Sequence, residues 1–192
     1  QRQMCIRDST ASFAEVREVF TRLRGGISTC SLLTSYRSSP EITEIFAGLL
    51  PAEQRAKISS VQRASEPVRV DCYGNDDEYA AALREAVARA KKNDGLTAIV
   101  VPWKHEAKRL RAFLGDAADG LVDMETAAEL PTNGAMIITL QLAKGLEFDH
   151  VIVPDASARV FPADDRVAKN RLYTTVSRAT RSVQTVSYTH LT

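Results

Sequence analysis

The sequence predicts an α/β fold in which a mainly parallel sheet is covered by helices on both faces. Three observations predict it. Residues 97–101, 135–140 and 151–153 are continuous apolar runs, the pattern of strands buried on both sides. Around them lie segments whose apolar residues recur at helical spacing. Strands alternating with helices of about ten to fifteen residues imply right-handed crossover units and a parallel sheet.

The elements follow in order. Phe13, Val16, Val19, Phe20 and Leu23 share one helical face, and Gly25-Gly26 ends that short amphipathic helix. Residues 28–36 are β-branched or small, with Leu32-Leu33 at their centre. Ser38-Ser39-Pro40-Glu41 supplies a capping serine, a first-turn proline and an acid, predicting a helix over about 40–50. Residues 51–66 are polar and loop-like, with room for one helical turn, and residues 68–72 alternate as a strand does. Asp76-Asp77-Glu78 opens a second helix that buries Tyr79, Leu83, Ala86, Val87 and Ala90, pairs Glu85 with Arg89 outside, and stops at Asn93-Asp94-Gly95. A third helix over 103–114 is expected to bury Ala107, Leu110, Phe113 and Leu114. Residues 115–120 read as loop, 123–130 as a short strand with a turn, and Pro131-Thr132-Asn133-Gly134 as a turn. After the strand at 135–140 comes a turn at 144–148, then an irregular stretch at 154–162. The last helix is expected over about 165–179.

Composition narrows the class without naming a partner. The 192 residues are 44% hydrophobic with a net charge of +1, enough for one ordinary core and neutral on whether a local basic groove exists. Cys5, Cys30 and Cys72 are odd in number and widely spaced, which fits neither a disulfide framework nor a zinc cluster and points to a reducing, cytoplasmic setting. No apolar run reaches the roughly 18 residues of a membrane span, and no signal pattern opens the chain. Residues 1–9 and 186–192 resemble translated adapter read-through and are expected to be artefactual or disordered edges around a domain at 10–185.

The most informative runs are Thr139-Leu140-Gln141-Leu142-Ala143-Lys144-Gly145-Leu146-Glu147-Phe148 and, later, Leu172-Tyr173-Thr174-Thr175-Val176-Ser177-Arg178-Ala179-Thr180. A strand running into Lys-Gly-Leu-Glu puts backbone amides and a carboxylate at a strand's end, where open α/β sheets place ligands, and a later helix carries an arginine. Together they read as half of an ATP site. The other half is missing: no Gly-x-x-x-x-Gly-Lys-Ser/Thr loop occurs to cradle phosphates or hold magnesium. The chain therefore reads as one piece of a larger motor.

With Leu33-Thr34-Ser35-Tyr36-Arg37-Ser38 as a third block, this order of motifs resembles the second RecA-like domain of UvrD/Rep-type superfamily 1 helicases, most closely the helicase IV-like (HelD) branch, over residues 31–185. The resemblance implies a RecA-like sheet and an ATP-dependent DNA helicase or translocase. It further implies that a first RecA-like domain elsewhere in the protein supplies the phosphate loop and the magnesium ligands for ATP with Mg2+. By the same resemblance, Tyr36 stacks on the base, Arg37 reaches the γ-phosphate, Glu147 accepts from the ribose hydroxyls beside Gly145, and Arg178 is the arginine finger. Thr139 and Gln141, placed on the strand, and Lys144 would contact single-stranded or partly duplex DNA. Many relatives carry histidine where this chain has Gln141. Partners in the HelD branch include RNA polymerase, so remodelling without unwinding is the alternative, and an inactive paralogue a further one.

Each residue alone has a plainer reading. Tyr36 could be a half-buried strand-end ring, Glu147 a surface acid, and Arg178 a cation facing a helix C-terminus, a duty for which Arg171 and Arg181 look better suited. His105 and His150 lack metal-ligand spacing, Trp103 fits a core cap better than a base platform, and Asp155 reads as structural.

Overall fold

The structure is a computed structural model that describes residues 13–28 and 34–188. The expected edge at 1–9, Cys5, Cys30 and the Leu32-Leu33 pair lie outside the described residues. Among those described, α1 (Phe13–Arg24) is the expected amphipathic helix, with Val19, Phe20 and Leu23 exposed. Thr34–Ser35 forms β1, which pairs in parallel with β2 (Ser59–Ser60) as a small sheet of its own. Between them run α2 (Pro40–Gly48) and the single turn α3 (Ala52–Arg55). Ser39 caps α2 by accepting from the Ile42 amide, and proline opens it, as the sequence predicts.

The main sheet has six strands in the order β3-β8-β7-β4-β6-β5, and every pair is parallel. They are β3 (Arg69–Tyr73), β4 (Leu96–Val101), β5 (Val122–Asp123), β6 (Gly134–Thr139), β7 (Phe148–Val153) and β8 (Ala179–Tyr188). Helices α4 (Asp76–Ala90), α5 (Lys104–Leu114), the single turn α6 (Leu140–Ala143) and α7 (Arg166–Val176) make the crossovers. Side chains alternate across the sheet with the period of two that a pleated strand imposes. Ala98, Val100, Met136, Ile138, Val151 and Val153 face the layer of α2, α6 and α7, whereas Ile99, Val101, Ala135, Ile137 and Ile152 face α4 and α5.

Several expectations change. The last helix stops at Val176, and Ala179 instead starts the ten-residue strand β8. Within β8, the polar Ser182, Gln184 and Thr185 are interspersed with Val183 and Val186, and the preceding helix masks this strand in sequence. The expected disordered tail is therefore partly strand: Val186 is fully buried, and Val186, Ser187 and Tyr188 pair with Asp71, Cys72 and Tyr73. At 123–130 only Val122–Asp123 pairs, and the rest is turn. Phe113 is 40% exposed, because the α5 face toward the core is taken by Ala107, Leu110 and Leu114.

Because all strands run one way, the sheet has a carboxyl edge and an amino edge. Chain leaves β4 into α5 on one face and leaves the neighbouring β7 into α7 on the other, which opens a crevice at the carboxyl edge. At the amino edge, Gly95 has φ +91, and a Cβ there would lie 2.4 Å from the Asp149 carboxylate that accepts from the Leu96 amide at 2.9 Å. Gly95→Ala should therefore cost about 1–3 kcal/mol, lowering the thermal midpoint by roughly 2–4 °C per kcal/mol. Gly134→Ala, with φ +84 but no neighbouring atom within 4 Å, should cost less in the same melting experiment.

Candidate nucleotide site and strand edge

Arg37, Glu147 and Arg178 come from three separate stretches and meet at the amino edge. Glu147 immediately precedes β7 and Arg178 immediately precedes β8; these strands start side by side, Phe148 opposite Ala179, with the Phe148 amide donating to the Arg178 carbonyl at 3.0 Å. The loop carrying Tyr36 and Arg37 is pinned to the same place by Ser38, which is buried and donates its hydroxyl to the Ala179 carbonyl at 2.8 Å. Arg37 Nε lies 2.5 Å from Glu147 Oε1, and its Nη1 reaches the Ser177 carbonyl at 3.5 Å. Arg178 donates from Nε to the Thr174 carbonyl at 3.2 Å and from Nη1 to the Leu146 carbonyl at 3.4 Å. It thus links the last turn of α7 to the Glu147 loop.

The surroundings of these three groups are open enough to receive a ligand. Tyr36 is 73% exposed, so its ring is not the half-buried one of the plainer reading. The Arg37 and Glu147 side chains are 38% and 50% exposed. Gly145 has φ +83 with no atom within 4 Å of where a Cβ would stand. Its contribution is the left-handed turn that swings the chain into β7, which a side chain would strain, while the space beside it stays clear.

Glu147 nevertheless lies elsewhere than the sequence suggests. Lys-Gly-Leu-Glu follows the carboxyl end of β6, but α6 and the turn at Gly145 carry the chain back across the sheet, so Glu147 sits at the amino edge of β7. The two ends of the Thr139 to Phe148 run are separated by about one six-residue strand, roughly 20 Å. Gln141 is accordingly on the short helix α6 and exposed, not on the strand, and the exposed Lys144 follows that helix.

Thr139 remains at the carboxyl edge, where it belongs to a network that sequence reasoning missed. It is buried and donates to Glu125 Oε1 at 3.0 Å, and Glu125 Oε2 lies 3.0 Å from Lys104 Nζ at the start of α5. Hydrogen bonding from Lys104, aided by Thr139, holds the Glu125 carboxyl below its ordinary range against the opposing effect of burial. No local pattern joins these residues, since the whole of α5 separates Lys104 from Glu125. Trp103 is 38% exposed rather than a core cap, and Arg171 stands over its ring at 5.3 Å. Arg181 is on β8, 3.3 Å from Asp149, so neither it nor Arg171 serves the helix end. His150 bridges Ser182 at 2.7 Å and the Asp94 carbonyl at 3.0 Å, a packing role, while Asp155 accepts from Ser157 and Arg159. Among the described residues no group of three or more His, Cys, Asp or Glu is placed to hold a metal ion, and no helix is long and apolar enough to cross a membrane.

Residues 134–184, from β6 into β8, match the UvrD-like helicase C-terminal domain family. That segment contains Thr139, Gln141, Lys144, Gly145, Glu147 and Arg178 and leaves Tyr36 and Arg37 outside it. The chain is also similar to the C-terminal domain of a possible DNA helicase from Lactobacillus plantarum WCFS1: 26% identity, 82% of this chain and 90% of that one covered, TM-score 0.65. The PRRSV helicase aligns with 82% of this chain at 15% identity and TM-score 0.38, and only 23% of its own length is spanned. No curated protein matches the chain. Over residues 134–184 the chain is thus similar to the UvrD-like helicase C-terminal domain family, and its parallel α/β architecture is similar to that of the Lactobacillus plantarum domain.

The Lys104, Glu125 and Thr139 network carries its own test. A carboxyl whose folded-state pKa is depressed contributes stability above its unfolded pKa and loses it as pH falls through the folded value. The Glu125 side-chain resonance should therefore titrate below the ordinary carboxylate range, and Lys104→Ala should move its titration upward.

Proposed function

We propose that this chain acts as the second RecA-like domain of an ATP-dependent DNA helicase or translocase. The observation that carries the reading is the convergence of Arg37, Glu147 and Arg178 on the amino edge. Two guanidinium groups and one acid suit the two ends of a nucleoside triphosphate: the acid accepts from ribose hydroxyls, and the cations donate to the γ-phosphate. Tyr36 offers its exposed ring to the adenine, and the Gly145 turn leaves room beside Glu147. A further RecA-like domain of the same protein supplies the phosphate loop and the Mg2+ ligands, and hydrolysis belongs to the pair of domains.

The present contacts define what nucleotide must displace. Glu147 is engaged by Arg37, so ribose binding competes with that ion pair and releases the guanidinium toward phosphate. Such a half-exposed pair is worth at most about 1 kcal/mol, a cost nucleotide binding readily offsets. Arg178 is tied to carbonyls of α7 and the Glu147 loop, and reaches the phosphoryl oxygens as charge spreads over them in the transition state. Thr139, Gln141 and Lys144 lie along the path toward the carboxyl edge, where the single strand would run. Gln141, exposed where many relatives carry histidine, favours keeping a second reading, in which a HelD-type motor remodels RNA polymerase without unwinding. Strand displacement beside polymerase capture on the full-length protein separates the two.

With the phosphate-loop domain supplied, Arg178→Ala should lower ATP turnover by about 10³–10⁵; undiminished turnover would exclude the finger role. Glu147→Gln should instead raise KM for ATP with little change in kcat, because the ribose contact is made equally in ground and transition states. Steady-state kinetics on the two variants distinguishes these effects.

A further inference from the structure

The loop after β2 forms a strap over the segment that carries Tyr36 and Arg37. At its start, the Val61 amide donates to the Ser35 carbonyl at 3.1 Å and the Ser60 hydroxyl to the Ser38 carbonyl at 2.7 Å. At its end, Ser65 donates its amide to Glu41 Oε2 at 3.1 Å and its hydroxyl to the Arg181 carbonyl at 2.7 Å. Both ends of the strap are thereby fixed. Between them, the Gln62 backbone amide donates to Ser60 Oγ at 3.1 Å, and its side chain donates from Nε2 to the Tyr36 carbonyl. Ser35 of β1 lies opposite Ser60 of β2 in parallel register, so the exposed Tyr36 and Val61 come next on neighbouring chains, with Gln62 directly after.

The contact with Tyr36 settles which way the Gln62 amide faces. A carbonyl oxygen only accepts, so Nε2 lies against it, and turning the amide over would set two acceptors face to face. Among the described residues the side chain has no other partner. Oε1 and the second Nε2 hydrogen are left side by side, an acceptor next to a donor. Such an edge matches adenine, whose N6 amino group donates and whose N7 accepts. It mismatches guanine, whose O6 and N7 both accept. The tether to the backbone of Tyr36 keeps this edge beside the ring on which the base would lie.

We propose that Gln62 reads the edge of the base stacked on Tyr36 and selects adenine over guanine nucleotides. This rests on the nucleotide reading given above and adds a specificity-determining residue to that site, one outside the 134–184 family match.

The test is NMR titration of the 192-residue chain with ATP and, separately, with GTP, following the Tyr36 ring and the Gln62 side-chain amide. ATP should bind about tenfold tighter than GTP. Gln62→Ala should bring that ratio close to one by weakening ATP and leaving GTP nearly unchanged. Gln62→Glu replaces the donor with an acceptor, and a carboxylate can accept from both N1–H and the N2 amino group of guanine. That variant should therefore move the preference toward GTP, which the loss of a merely structural tether would not do. Thermal melting of each variant verifies that the fold is intact. Equal wild-type affinity for the two nucleotides, equal weakening of both by Gln62→Ala, or a ratio unmoved by Gln62→Glu overturns the selection while leaving nucleotide binding in place. If neither nucleotide binds the wild-type chain, the nucleotide reading fails and this inference fails with it.

Discussion

The pairing of β7 with β8 is the constraint on which the candidate site depends. With Phe148 opposite Ala179 and the Phe148 amide on the Arg178 carbonyl, the residues just before the two strands become neighbours. Those residues are Glu147 and Arg178. The Ser38 hydroxyl uses the next carbonyl, that of Ala179, and so adds Arg37 and Tyr36 to the same corner. Backbone hydrogen bonds thus do the positioning, and a slip of one residue between the strands would turn every side chain on β8 to the opposite face. Phe148 and Ala179 are both buried at the junction, which ties that register to the core.

Two edges of one sheet then acquire different chemistry. The amino edge gathers the exposed aromatic ring, the two guanidinium groups and Glu147; the carboxyl edge gathers Thr139, Glu125, Lys104 and Trp103. A single short segment, α6 followed by the Gly145 turn, spans the distance between them. It packs closely on the sheet, since Leu140 and Ala143 are buried.

Much of this architecture is legible in the chain. The buried strands β4, β6 and β7 are continuous apolar runs, α2 announces itself through Ser39 and Pro40, and α4 through its acidic first turn and its apolar stripe. The polar end of the chain is misleading because β8 mixes polar and apolar residues: Arg181, Ser182 and Gln184 hide Val183 and Val186, and a strand of that kind is distinguished from a tail only by the neighbours on either side, β3 and β7. Phe113 misleads for the opposite reason, since an apolar residue at a helical period need not face the core when smaller neighbours already fill it.

The sequence by itself determined the fold class and the order of the central elements, because periodicity, capping and turn chemistry are local, and its resemblance to UvrD/Rep-type domains singled out Tyr36, Arg37, Glu147 and Arg178 as candidates. Only the tertiary structure decided that they share one corner, that Glu147 stands at the amino edge and Thr139 at the other, and that Glu125 joins Lys104 and Thr139. Those facts depend on strand order and register, which arise from contacts between residues far apart in the chain and leave no local trace.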